Sequence, residues 1–179
     1  MHMPSAVKQW TLEEVHSLPD DGNKYELVRG ELFVTPPPTE PHETVAARLS
    51  RILTPYVEQH ELGLVYHPRA VMRFEGSEVE PDLMVRAVHP GNRPDWDDAP
   101  IPILIVEILS PSTRRRDQVK KRSLYLDAGV AEYWMVDPER RSITAVRAGH
   151  EDVVARDTMR WSPQCAGAEL TFDLARVFG

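Results

Sequence analysis

The sequence predicts an α/β (α+β) fold in which a covered central strand is flanked by helices, with a hairpin near the N-terminus. Three observations predict it. Ile103 to Leu109 is apolar on both faces except at Glu107, the pattern of a strand covered by helices. Val45, Leu49, Ile52, Leu53 and Val57 recur at helical spacing. Two short apolar runs, 25–28 and 31–34, flank Arg29-Gly30, where glycine supplies the positive φ of a hairpin turn.

The elements follow in order. Thr11-Leu12-Glu13-Glu14 forms a capping box that opens a short helix, with Leu12, Val15 and Leu18 on its apolar side. After the hairpin, Pro36-Pro37-Pro38 and Pro41 make a stiff connector that cannot enter a sheet interior. An amphipathic helix spans about 43–60, and Pro55 inside it predicts a kink or an early end. Segments 63–67 and 70–74 read as short strands joined through Pro68-Arg69, and 79–88 as a third, held at an edge or a strand start by Pro81. Residues 89–100 are a polar, proline-rich loop, either a mobile flap or a plain surface connection. The central strand ends at Ser110-Pro111-Ser112-Thr113. A helix then runs to about Ala128, where Gly129 stops it. Strands follow at 132–137, 142–147 and 153–156, and a short helix at 174–178. With no internal repeat and no sign of a second domain, residues 1–179 are expected to form one domain.

Composition narrows the function classes. Hydrophobic residues make up 41% and charged residues 27%, the balance of a globular chain. No apolar run is long enough to cross a bilayer, and the N-terminus lacks a signal-peptide pattern. Cys165 is the sole cysteine, which excludes an internal disulfide and any multi-cysteine metal site. A cytoplasmic location is expected. A net charge of −7 argues against coating nucleic acid through overall charge. Even so, Arg114, Arg115, Arg116, Lys120, Lys121 and Arg122 crowd one segment and acidic residues crowd 75–98. The basic cluster is either a phosphate-facing rim or a solvated helix face. Phosphate loops, dinucleotide fingerprints and glycine-flanked serine nucleophiles are lacking; Ser110 and Ser112 sit in no such elbow.

The chemistry gathers between Glu80 and Asp137. Glu107 is a carboxylate inside an apolar strand, costly to bury ionised unless a cation or hydrogen-bond donors compensate it. It is therefore either a buried salt-bridge partner, with Lys121 or Arg122, or a metal ligand. Asp82 follows Pro81 at the end of a neighbouring element, as a turn residue or a second ligand. Two carboxylates, a backbone carbonyl near Ile108 and water make an all-oxygen shell suited to Mg²⁺ or Mn²⁺. Asp117, Lys121 and Tyr125 lie at four-residue steps on one helix face, and Lys120 is close enough that spacing does not choose between the lysines. Beside Glu107, a lysine could orient an attacking water or offset charge on a phosphoryl group. Glu26 faces either the same cleft or solvent. His42 is a general acid/base, a phosphate contact or an exposed residue at a helix start.

These residues carry a resemblance. Tyr-Glu-Leu-Val-Arg-Gly-Glu-Leu (25–32), His42, Glu-Pro-Asp (80–82), Val-Glu-Ile-Leu-Ser-Pro-Ser-Thr (106–113), Asp117-x₃-Lys121-x₃-Tyr125 and Gly-Val-Ala-Glu-Tyr-Trp-Met-Val-Asp-Pro (129–138) resemble the Uma2 family over about residues 11–150. That family is grouped with restriction endonucleases of the PD-(D/E)XK superfamily. The resemblance implies a restriction-endonuclease-like core, a mixed sheet flanked by helices, and a Mg²⁺-dependent nuclease site. Asp82 and Glu107 would hold the metal, Lys121 would be the catalytic lysine, and Glu26 and His42 would belong to the surrounding site. The superfamily's usual Glu-x-Lys would put its lysine where Leu109 stands. In Uma2-like sequences it comes from the following helix instead, which Lys121 fits.

The expected function is a metal-dependent DNA endonuclease. Two rivals are a non-catalytic nucleic-acid-binding or interaction module on the same fold, and a metal phosphodiesterase acting on RNA or a small phosphate ester. By analogy, one site per chain suggests a homodimer for cutting both strands. With no helix-turn-helix or zinc finger, strong sequence specificity is not expected.

Overall fold

The computed structural model describes residues 8–89, 91, 95–111, 113–164 and 166–179. Ser112, Cys165 and part of the 89–100 loop therefore lie outside the described residues. Helix α1 (Leu12–His16) opens with the expected box: Glu14 N–H donates to Thr11 Oγ1 (3.2 Å) and Thr11 N–H to the Glu14 carboxylate (2.9 Å). Strands β1 (Lys24–Val28) and β2 (Glu31–Thr35) pair around Arg29 and Gly30, whose φ values of 51° and 81° suit a type I′ turn.

Helix α2 (Glu40–Gln59) starts earlier than periodicity alone predicts, because Pro41 sits in its first turn, where no intrahelical N–H is needed. It also runs past Pro55. Pro55 and Arg51 are both exposed, so the missing hydrogen bond falls on the outer side of the helix while Ile52, Leu53, Tyr56 and Val57 stay buried.

The next four strands are β3 (Leu64–Tyr66), β4 (Met72–Phe74), β5 (Ser77–Val79) and β6 (Leu83–Arg86). The expected single strand at 79–88 is two strands in two sheets. Pro81 has no N–H for a ladder, and Glu80-Pro81-Asp82 carries the chain from one sheet to the other. The first sheet has the order β2-β1-β5-β4.

Then come β7 (Leu104–Ile108), α3 (Arg114–Arg116), a π-helical turn (Asp117–Lys121), α4 (Arg122–Asp127), β8 (Glu132–Asp137), β9 (Ser142–Val146) and β10 (Val153–Ala155). The second sheet has the order β10-β9-β8-β7-β6-β3, mixed because β7 and β8 run parallel across the helical crossover. A separate hairpin, β11 (Thr158–Trp161) with β12 (Leu170–Asp173), precedes α5 (Ala175–Phe178). Sequence patterning did not suggest this hairpin. No helix among the described residues is long and apolar enough to cross a membrane.

Alternation along the central strands sorts the core into two layers. Leu104, Val106 and Ile108 pack with Leu49, Leu53 and Val57 of α2 and with Trp161 and Phe172 of the last hairpin. Ile105 and Leu109 face the opposite way, towards Leu124 and Tyr125 of α4 and Val28 and Val79 of the first sheet. Glu107 shares the parity of Ile105, so it lies on the side where α4 and the first sheet meet. The antiparallel register Leu83↔Val106, extended by one residue, sets Asp82 opposite Glu107 on that same side.

Candidate functional site

A cleft of about 460 Å³ opens at this seam, lined by Lys24, His42, Glu80, Asp82, Glu107 and Arg116, with Pro36–Pro38 along one wall. The triproline that sequence reading cast as a connector is therefore a wall of the site. The described part of the 89–100 loop does not line the cleft. Its Trp96 instead packs against Tyr66 (6.4 Å between ring centroids) and under the Arg86 guanidinium (4.8 Å).

The structure brings together Glu26, His42, Asp82, Glu107 and Lys121. Asp82 Oδ2 accepts the Ile108 N–H at 2.7 Å and a bond from His42 Nε2 at 3.2 Å, while Oδ1 makes no hydrogen bond among the described residues and has the Lys24 ammonium 3.7 Å away. Burial alone would raise the Asp82 carboxyl. The His42 hydrogen bond, the Lys24 and His42 charges and the Ile108 N–H outweigh it and hold the group at about 2. An ionised carboxylate only accepts, so His42 Nε2 must carry the donated proton. Burial would lower His42, yet its pKa is raised because Asp82 and then Glu43 favour the charged ring.

Glu107 is 2% exposed. Its Oε1 accepts from Lys121 Nζ at 2.7 Å and from the Tyr125 hydroxyl at 2.5 Å, and its Oε2 makes no hydrogen bond among the described residues. Burial raises its carboxyl to about 7; Lys121 opposes the rise, and the charges of Asp82 and Asp117 reinforce it. Glu26 is fully buried. Its Oε1 lies 2.6 Å from Lys121 Nζ and accepts the Glu80 N–H at 2.9 Å. Burial would raise its pKa, but Lys121, Lys24 and Arg116 together lower it.

A π-helical turn, Asp117–Lys121, interrupts the helix that delivers these groups. Asp117, Lys121 and Tyr125 all turn inward, while Gln118, Val119 and Lys120 are exposed. Lys121 is thus the lysine at Glu107; Lys120 pairs with Glu31 at the surface. Burial alone would lower the Lys121 pKa, but Glu107, Glu26 and Asp117 raise it, so the ammonium stays charged. Lys121 is fully buried and does not line the cleft.

The basic cluster of the sequence is largely neutralised. Arg114 pairs with Asp137 and Glu139, Lys120 with Glu31 and Arg122 with Asp152. Arg116 turns inward instead, 3.6 Å from Glu26 and 3.3 Å from Asp117. Sequence reading did not single out Arg116 or Lys24 as site residues. For Lys24 a signal existed: it stands two residues before Glu26 on a strand, hence on the same face.

Each of the two ligand candidates thus has one oxygen fixed by protein donors and one left to the cleft. Among the described residues no group of three or more His, Cys, Asp or Glu side chains is arranged to hold a metal ion. A cation here would take two carboxylates and complete its shell with water or backbone oxygen, which suits Mg²⁺ better than a metal needing an all-protein cage.

The mixed sheet with this seam is a nuclease-type fold. A crystal structure described as "a putative nuclease belonging to DUF820" from Anabaena variabilis superposes with a TM-score of 0.76 at 20% identity, covering 94% of this chain and 97% of that one. The chain belongs to the Uma2 family: the family model, described as "Putative restriction endonuclease", matches residues 12–175. No curated protein matches it.

Proposed function

We propose that this chain is a metal-dependent DNA endonuclease in which Asp82 and Glu107 hold a Mg²⁺ or Mn²⁺ ion. One observation carries the reading: two carboxylates, one in β7 and one just before its neighbour β6, each half-committed to protein donors, meet at a cleft and are backed by a buried lysine. The family description supports a nucleic-acid substrate. A divalent ion bound there supplies Lewis acidity, polarising a phosphodiester and lowering the pKa of a water.

The chain's own residues prepare that site. His42 and the Ile108 N–H fix Asp82 Oδ2 and leave Oδ1 for the cation. Lys121 and Tyr125 fix Glu107 Oε1 and leave Oε2. Lys121 also offsets Glu26 and Asp117, so the carboxylates can stand together in a buried place. Its role is to position Glu107 and supply charge from behind it. Cutting both strands with one site per chain calls for a homodimer.

Cleavage of supercoiled plasmid in Mg²⁺, Mn²⁺ or EDTA tests the reading, with Asp82→Asn and Glu107→Gln alongside. Metal-dependent cutting that both substitutions abolish is the expected result. Equal cutting by all three proteins would overturn it. The cleft volume of about 460 Å³ also favours a second reading. It falls in the range of small-molecule pockets, roughly 300–1,000 Å³, so a phosphodiesterase on RNA or a small phosphate ester fits as well. A substrate panel separates the two.

A further inference from the structure

Among the described residues, Lys24, Arg69 and Arg116 line the cleft without a part in the mechanism above. Lys24 lines the cleft from β1, and its side chain keeps 18% exposure while that of Lys121 has none. Its ammonium donates to the Glu80 carbonyl at 3.0 Å. It lies 3.7 Å from Asp82 Oδ1 and 4.0 Å from Glu26 Oε2, beyond hydrogen-bonding range of both. Among the described residues, one of its N–H groups is committed. Glu26 Oε2, buried without a hydrogen-bond partner among the described residues, depends on the nearby charges of Lys24 and Arg116.

Arg69 lies beside Glu80, at 3.9 Å, and no ion pair joins it to Asp82 or Glu107 among the described residues; the cations closer to those two carboxylates are less free. Arg116 is tied to Thr35 at 2.8 Å and to Asp117 at 3.3 Å. Lys121 spends its bonds on Glu26 and Glu107 behind the cleft wall. Asp82 Oδ1, the oxygen left open for a divalent ion, is the one that Lys24 faces.

We propose that Lys24 is the phosphate-contacting lysine of this site: its ammonium fills the cation position beside Asp82 Oδ1 and turns to a phosphodiester oxygen when a divalent ion takes that position. The inference rests on the nuclease reading. A Mg²⁺ ion binds a carboxylate oxygen at about 2.0–2.1 Å, and an ammonium cannot keep its present place so close to it. A lysine on a flexible four-carbon stem can leave, and its displaced charge then meets the charge that the substrate brings into the cleft.

The test compares the full chain with Lys24→Met and Lys24→Arg, each checked for an unchanged fold by circular dichroism. Mn²⁺ affinity is measured by calorimetry, oligonucleotide binding by fluorescence anisotropy in Ca²⁺, and cleavage in Mg²⁺. Lys24→Met should bind Mn²⁺ about tenfold more tightly, because a competing charge is gone. It should also cleave about 100-fold more slowly, with Lys24→Arg recovering part of the rate. A merely structural lysine would not tighten the metal while slowing cleavage. Unchanged or weaker Mn²⁺ binding by Lys24→Met, or cleavage equal to the wild type, overturns the inference and leaves the nuclease reading standing. Should the wild type cut nothing, the nuclease reading fails. Metal affinity and anisotropy then decide Lys24: tighter Mn²⁺ with weakened oligonucleotide binding upholds it, and no change in either overturns it.

Discussion

Replacing Lys121 by methionine keeps most of the side chain's volume and removes its charge, so it isolates what the buried ammonium does. Nζ lies 2.6 Å from Glu26, 2.7 Å from Glu107 and 3.9 Å from Asp117, all inside the protein. Breaking a buried pair by deleting one partner costs about 3–5 kcal/mol, because the other charge stays behind unpaired. Two features pull the cost towards the lower end. Glu26 keeps the Lys24 and Arg116 charges at its other oxygen. Glu107, already raised to about 7, can take up a proton in place of the lost lysine. A loss of about 3 kcal/mol corresponds to a fall in Tm of about 6–12 °C for a chain of this size. Neutralising Glu107 is harder at high pH, so the loss should be larger at pH about 8 than at about 6. Urea and thermal unfolding can be followed through the buried Trp134 and Trp161. Adding Glu26→Gln should recover part of the loss, with a coupling of at least about 1 kcal/mol. A loss below about 1 kcal/mol, independent of pH and additive with Glu26→Gln, would refute the charge cluster. The same measurement bears on activity, since lost cleavage in a Lys121 variant reports catalysis only when folding is intact.

Two further predictions concern pH. Asp82 is depressed from 3.8 to about 2, so its ionised form adds stability that is present above about 3.8 and lost as pH falls through about 2. The stability gap between wild type and Asp82→Asn, from urea melts, should therefore be constant above pH about 4 and shrink below it; a gap that persists to pH about 2 would contradict the assignment. Glu107 is raised from 4.5 to about 7, so ionising it in the fold costs stability as pH rises from 4.5 through about 7. A cation needs the ionised form, so Mn²⁺ affinity by calorimetry should climb between pH about 6 and 8, and Glu107→Gln should flatten that climb. A flat wild-type profile would remove Glu107 from the ligand set.

Much of this was legible in the sequence because the signals were local and repeated. The apolar run broken once at Glu107 marked a covered strand with one charged side chain, and the capping box at Thr11–Glu14 is closed as written. Other features depended on partners distant in sequence. Nothing near 79–88 reveals that its two ends join different sheets, although Pro81 marked a disruption there. The last hairpin escaped because β11 and β12 are only four residues each and Trp161 and Phe172 find their partners in β8 and α2. In the site, spacing grouped Asp117, Lys121 and Tyr125 but left Lys120 and Lys121 unresolved, because an ordinary helix treats them as near equals. Lys24 was hidden for a different reason. A lysine on a hairpin near the N-terminus reads as surface charge until the first sheet is laid against β7.

The π-helical turn makes the length of one segment as informative as its letters. Each of its hydrogen-bonded rings closes over one residue more than in an α-helix, and Gln118 and Val119 within it are exposed. Deleting either would leave every site residue in the sequence. It would also let the turn relax to ordinary α geometry, where each residue rotates the chain by about 100°. Asp117 and Lys121 would then stand three residues apart, about 60° round the axis from each other, and the four-residue step that sets Asp117 in line with Lys121 and Tyr125 would be lost. Two chains could therefore share every motif letter from Glu80 to Asp137 and still differ in whether their carboxylates are balanced, so alignments of such proteins should score this gap as they would score a lost ligand.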